Sequence, residues 1–364
     1  MRRGTEDDLD APLRRALSLA TRAASPGNTQ PWRFRRDGDS LEVHCDDDSE
    51  PSTLNHAGRV SAMTLGGLLE LLAIALGAEG YQAIIRLPEQ STPGGPWAVV
   101  ELRPVDLSVD PLVHAIAGRF TDRREYRGGD LGDPVFDRIQ GELAGHPGCG
   151  LRWLPRAAVP EPLMRRIVDA ELFFWRHAPL HRQIMALTRW SRTHAARTRD
   201  GVPWQAQGIP AVAATVLRFC DRWPVQAALN RLGMLARVER TTRSLVTSAA
   251  GLGLISVRSM SRAALVAASR LHARASLHLH AAGYATQPFT PVSLYASEAE
   301  LDVLPADWSA DDRRRFAEGM PVLREAFGLG RDELPLWLFR VGVSPGPREV
   351  GSYTHRYELD RVLL

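Results

Sequence analysis

The run RVSAMTLGGLLELLAIALGA, Arg59 to Ala78, limits what this chain can fold into more than any other stretch. It is too long for a strand, and its apolar residues fall on every face of a helix. Met63 to Ala78 holds one charge, Glu70. That apolar part, 63–78, is short for a bilayer span, so the run predicts a helix buried at the centre of a core.

Around it the order is helix, hairpin, central helix, strand, strand. Leu9, Leu13, Ala16, Leu17 and Ala20 space a helix over 7–23, ended by Pro26 and Gly27. Trp32–Arg36 and Leu41–Cys45 predict a hairpin about Asp37-Gly38-Asp39, and Tyr81–Leu87 and Trp97–Leu102 predict strands. A similar order then begins again. Short helices are expected at Pro111–Gly118 and Asp133–Ala144, a strand at Gly150–Leu154, and helix over Glu161–Thr193 interrupted at Pro179. Ser244–Val257 reads as strand, Met260–Ala282 as a long helix and Leu336–Val343 as a strand. These segments predict an α+β fold in which one kind of unit occurs twice, helices packed on a mostly antiparallel sheet. The halves are placed at 1–107 and 108–364, with 194–240 an insert that covers something.

Charge narrows the function. At 364 residues the chain can hold two domains, and its net charge of +3 from 45 basic and 42 acidic residues is too balanced to indicate nucleic acid. Every one of the 45 basic residues is arginine. That excludes a lysine-bearing phosphate loop, a Schiff base and a lysine general base, and leaves anions to arginine or charged histidine. Cys45, Cys149 and Cys220 are far apart in sequence and form neither a disulfide framework nor a zinc site, so a reducing cytoplasm is expected. The acidic start MRRGTEDDLD does not read as a signal peptide. No G-x-G-x-x-G follows a strand and no G-x-S-x-G is present.

Four segments could carry chemistry. Ser25-Pro26-Gly27-Asn28-Thr29-Gln30-Pro31-Trp32 is either a helix stop and turn or a place where small residues admit a planar ligand, with Asn28 a mixed donor and acceptor. RFTDRREYR, 119–127, is either a solvated charge run paired with Asp122 and Glu125 or an extended strip. In the second case Arg119, Thr121 and Arg123 share a face and suit a phosphate dianion. In the late helix Arg270, Arg274 and His278 fall on one stripe and His272, Ser276 and His280 on another; without a third ligand a metal site is not indicated. The last segment is the closing strand FRVGVSP with the tail Ser352-Tyr353-Thr354-His355-Arg356, which ends the chain in solvent or returns Arg356 to an anion.

Taken together, ASPGNTQPWRF, RFTDRREYR, AAGYATQPF and FRVGVSP with its tail resemble segments of the nitroreductase-like FMN-dependent oxidoreductases, over nearly the whole chain outside 194–240. In ordinary members the arginine segment precedes the Ser/Asn segment, and each FMN sits between two subunits of a homodimer. Here the order is reversed. The resemblance is therefore to a tandem subgroup in which one chain mimics the dimer, as a monomer or a homodimer of such chains. It implies a nitroreductase-like fold and one FMN per chain. The implied FMN contacts are Ser25, Pro26, Gly27, Asn28 and Gln30 from the first half. From the second they are Arg119, Thr121, Arg123, Arg270, Gln287, Pro288 and Arg356. It further implies NADPH or NADH as transient reductant, hydride transfer through the flavin to or from a small organic molecule, and neither nucleic acid nor membrane as partner. No obligatory acid or base is assigned; Tyr126, His278 and Tyr284 are candidates. The alternative is a flavin storage or sequestration protein, its cofactor covered by 194–240.

Overall fold

The computed structural model describes residues 10–46, 55–88, 94–106, 108–347 and 353–364. Helix α1 (Ala11–Ala20) starts at Asp10, whose carboxylate accepts from the Leu13 amide, and buries Leu13, Ala16, Leu17 and Ala20 as their spacing predicts. The beginning of the helix expected over 7–23 lies outside the described residues. Strands β1 (Trp32–Asp37) and β2 (Ser40–Cys45) form the expected hairpin, with Gly38 at positive φ in its turn. Helix α2 is Arg59–Ala78, followed by β3 (Tyr81–Arg86) and β4 (Ala98–Pro104). The four strands make one antiparallel sheet in the order β1-β2-β4-β3.

The second part begins with α3 (Val113–Ile116), α4 (Asp133–Gly141) and β5 (Cys149–Pro155). Helix α5 (Glu161–Arg176) breaks at His177, and Pro179 starts α6 (Ala178–Leu187). Proline ends one helix and suits the first turn of the next. The two-residue parallel strands β6 (Thr188–Arg189) and β7 (Val202–Pro203) flank α7 (Arg192–Thr198). Helices α8 (Ala211–Phe219), α9 (Trp223–Leu229) and α10 (Leu235–Thr247) follow. Next come β8 (Gly251–Val257), α11 (Arg262–Ala281), β9 (Tyr284–Pro288), α12 (Thr290–Glu300), α13 (Ala310–Ala317), α14 (Gly319–Phe327) and β10 (Leu334–Val343). Strands β5-β8-β10-β9 form the second antiparallel sheet.

The two sheets share one plan: strand, strand, twenty-residue helix, strand, strand, in the order first-second-fourth-third. Helix α11 occupies in the second the place of α2 in the first. The two helices cross at Gly66, where an added Cβ would lie 2.5 Å from the Val266 carbonyl oxygen. This crossing explains why α2 is apolar all round: it serves its own sheet on one side and α11 on the other. Glu70, the single charge, is buried and paired with Arg270 and Arg274.

Several sequence expectations change. Residues 244–247 belong to helix α10, and the strand begins only at Gly251. The hydroxyls of Thr242, Ser244 and Thr247 serve carbonyls or a carboxylate beside the helix, so these β-prone residues sit comfortably in it. Strand β9 was not anticipated; Tyr284–Pro288 is too short and polar to stand out beside its long neighbour β10. The addition to the common plan is larger than 194–240. The two-residue link between β1 and β2 corresponds to everything between β5 and β8, and α5 and α10 within it contribute Leu163, Ile167, Phe173 and Val246 to the second core.

Candidate functional site

A cleft with about 700 Å³ of atom-free space, part of it open to solvent, lies where the two parts of the chain meet. Its walls come from the end of α1 and the turn after it (Arg22, Ser25, Asn28), the arginine segment (Arg119, Thr121, Arg123), the cover around Val202 and Ala206, and the tail (Thr354, Arg356).

The arginine segment is extended, as its alternation predicts. Thr121 bridges to Thr286 on the edge of β9, and the Asp122 amide donates to the Thr286 carbonyl. Arg119, Thr121 and Arg123 consequently share the cleft side. Asp122 turns into the protein. Buried Asp122 pairs with Arg124 at 2.8 Å and accepts from Ser344, and these bonds hold its carboxyl below the usual range against the opposing effect of burial. The Asp122–Arg124 pair is therefore buried at Asp122 rather than part of a solvated charge run. The strip is anchored by Arg340, fully buried in β10. Its guanidinium donates to the carbonyls of Asp122, Arg124 and Leu245 and to Gln287, and stacks 3.8 Å over the Tyr126 ring.

The turn after α1 is strained. Gly27, Asn28 and Gln30 all have positive φ, near 55°, which for the two non-glycine residues must be held by surrounding bonds. Asn28 Nδ2 donates to the Gly201 and His355 carbonyls, while its Oδ1 accepts from Arg356. Gln30, fully buried, donates to the Arg199 carbonyl and accepts from the Tyr357 amide. The Ser25 hydroxyl accepts from the Gln30 amide. The missing side chain of Gly27 makes room for Leu187, 2.4 Å from where a Cβ would stand, and not for a planar ligand.

Arg356 is the electrostatic centre of the cleft. It donates to the carbonyls of Thr21, Arg22 and Ala23 just beyond α1, and to Asn28, Thr354 and His355. Every one of these partners is neutral. Burial, and then the neighbouring charges of Arg119 and Arg22, push its pKa down to about 9. Arg22 donates to Ala117 O and Arg119 to Arg22 O, so the two guanidinium groups straddle the meeting point. Among the described residues neither Arg22 nor Arg356 has a carboxylate partner. Burial likewise lowers the pKa of Arg123. Glu171 on α5 and Asp122 both act on Arg123; burial raises Glu171 to about 7, with Arg123 and Arg340 opposing. Forked cationic donors arranged in this way can receive an anion.

The structure thus brings Ser25, Asn28, Arg119, Thr121, Arg123 and Arg356 to one cleft. Pro26, Gly27 and Gln30 support its wall. Arg270 lies elsewhere, on α11 against Glu70 at 2.7 Å. Gln287 is turned to Arg340, and Pro288 sits in the ladder opposite Phe339. Tyr126 donates to Asp122 O, Tyr284 to Asp130 O, and His278 meets Glu142, so none of the three candidate proton donors is presented to the cleft. Sequence reasoning missed Arg22, Arg340 and Glu171. Arg340 carried a usable signal, a lone charge inside an apolar strand; Arg22 and Glu171 read as ordinary helix charges.

No family model matches the chain. The "Putative NAD(P)H nitroreductase acg" of Mycobacterium tuberculosis is 24% identical over 369 residues, covering 96% of this chain and 94% of that protein. The "Putative NAD(P)H nitroreductase Rv3131" of the same organism is 33% identical over 171 residues, 44% of this chain; in that match the chain spans 48% of the relative's length, about half. Among solved structures, the FMN-dependent nitroreductase NfnB from Mycobacterium smegmatis in complex with NADPH aligns with 15% identity and a TM-score of 0.38, covering 68% of this chain and 94% of that one.

Proposed function

We propose that this chain, similar over almost its whole length to proteins named as nitroreductases, is an FMN-dependent oxidoreductase. It transfers hydride between NADPH or NADH and a small organic molecule, by reduction of a nitro or quinone group or by dehydrogenation of a metabolite. The observation that carries this reading is half-buried Arg356, ringed by Arg22 and Arg119, whose partners among the described residues are all neutral. A phosphate monoester answers that charge. When bound, FMN supplies the two-electron chemistry. Arg22, Arg119 and Arg356 hold the phosphate, Thr121 offers a hydroxyl, and Ser25 and Asn28 line the opposite wall, so one chain supplies both sides of one site as an internal pseudo-dimer. Three free cysteines suit a reducing cytoplasm. The test is equilibrium dialysis of the flavin-stripped protein against FMN, followed by mixing the complex with each nicotinamide under anaerobic conditions. One FMN per chain and bleaching by a nicotinamide are expected; failure to take up FMN contradicts the reading.

The second reading, a protein that sequesters flavin, is favoured by the cover. Asn28 is bonded to Gly201 and Gln30 to Arg199, and a Cβ on Gly208 would meet the Arg123 carbonyl at 2.6 Å. A cover stitched this way restricts a second ligand. It predicts tight FMN binding with reduction by nicotinamides far slower than by dithionite.

A further inference from the structure

We propose that α8 and α9 form a docking surface for an anionic lipid bilayer, so that the folded chain binds a membrane peripherally. Both helices are mounted with an apolar stripe facing outward. On α8 the stripe is Val212, Val216 and Phe219, at i, i+4 and i+7; Val212 is 79% and Phe219 72% exposed. On α9 and the turn after it the stripe is Val225, Ala228 and Leu232, with Leu232 81% exposed. Half of the exposed large apolar side chains among the described residues, five of ten, lie in this one segment.

The opposite faces are what the protein holds. Ala214, Cys220 and Gln226 are buried, His181 bonds the Cys220 carbonyl, and Gln226 reaches Asn230, which donates to the Trp175 carbonyl. The helices are therefore fixed by polar bonds with their apolar stripes left to solvent, the reverse of the usual arrangement for a surface helix. A solvent-facing apolar stripe with arginines at and beyond the helix ends is a pattern an interfacial element can use.

Charge selects the occupant. Arg218, Arg222, Arg231 and Arg237 are exposed and, among the described residues, have no carboxylate partner; Asp221 is the one acid between Gly208 and Arg237. Paired two-fold with a second copy, this face would set the same arginines against each other. Against anionic lipid headgroups, arginines and apolar side chains are satisfied together. The membrane-length helix α2 is not the element involved, because it is buried in the core.

The test is flotation of the full chain with vesicles of phosphatidylcholine and phosphatidylglycerol in equal parts, and with pure phosphatidylcholine. The chain is expected to float with the anionic vesicles only, and to be released by high salt. Phe219→Ser with Leu232→Ser should abolish binding, and Arg222→Gln should weaken it about fivefold. All three residues are exposed, so circular dichroism and melting should be unchanged. Absence of flotation with anionic vesicles, or flotation indifferent to these substitutions, overturns the proposal. So does a concentration-dependent dimer, seen by light scattering, that the same substitutions dissolve.

Discussion

Arg356 donates from Nη1 to Asn28 Oδ1 at 2.7 Å, tying the C-terminal tail of the chain to the turn after its first helix. The bond joins opposite ends of the sequence, and both residues face the cleft. It also explains how Asn28 keeps a positive φ: all three of its side-chain bonds hold it there.

Loss of this contact should be felt in anion binding and in stability. Arg356→Met removes one charge from the cradle and leaves the carbonyls of 21–23 to water. FMN affinity, read by fluorescence quenching, should fall roughly 10- to 100-fold, the effect of one charge-assisted hydrogen bond or slightly more. Arg119→Met, which does not bond Asn28, should weaken FMN binding with a smaller fall in melting temperature. Unchanged affinity in both variants would remove the cluster from the site.

The depressed pKa of Arg356 gives a pH signature. Its value here is about 9, well below the ordinary arginine value. Between these limits the unfolded chain keeps a proton that the native chain has released, so in anion-free protein this residue's contribution to stability rises with pH. Below pH 9 the charge is present and strained, and inorganic phosphate or FMN relieves it. Stabilisation by phosphate in thermal melts should therefore be large at pH 7 and shrink as pH passes 9. The difference between wild type and Arg356→Met isolates this group from tyrosines and cysteines that titrate nearby.

Glu171 has the opposite sign. Its value is raised from 4.5 to about 7 by burial. The native chain holds a proton that the unfolded chain has lost, so this residue's contribution to stability falls as pH rises from about 4.5 to 7 and stays low above that. Glu171→Gln should be more stable than wild type by a margin that grows across that window in urea titrations. A margin independent of pH would contradict the assigned burial.

The helix crossing at Gly66 is equally testable. A Cβ there would stand 2.5 Å from the Val266 carbonyl, which belongs to backbone and cannot turn aside. Gly66→Ala should destabilise by about 1–3 kcal/mol as overpacking, despite alanine's better helix propensity. Neighbouring Gly67, with open space around it, is the control and should tolerate alanine.

Much of this was readable from sequence, for physical reasons that differ by element. The buried helix at 59–78 and the hairpin at 32–45 are local patterns with strong periodicity and a glycine turn, and both form as read. The alternation in RFTDRREYR also survived, because an extended strip beside β9 has the period of a strand. What sequence could not show was partnership. Gly27 looked like room for a ligand and holds Leu187; Arg270 looked free for phosphate and is held by Glu70, two hundred residues away. Arg22 joined the cleft only because the tail folds back over α1, a contact without any local signature.

The central claim is that an anion held by arginines from both ends of the chain is the phosphate of a flavin. The most direct measurement is the absorbance of the protein purified under mild conditions, with FMN quantified after release. The account predicts a yellow protein, or a colourless one that takes up FMN to one equivalent, with uptake reduced by both Arg119→Met and Arg356→Met. A colourless protein that binds no FMN at any concentration tested would contradict it.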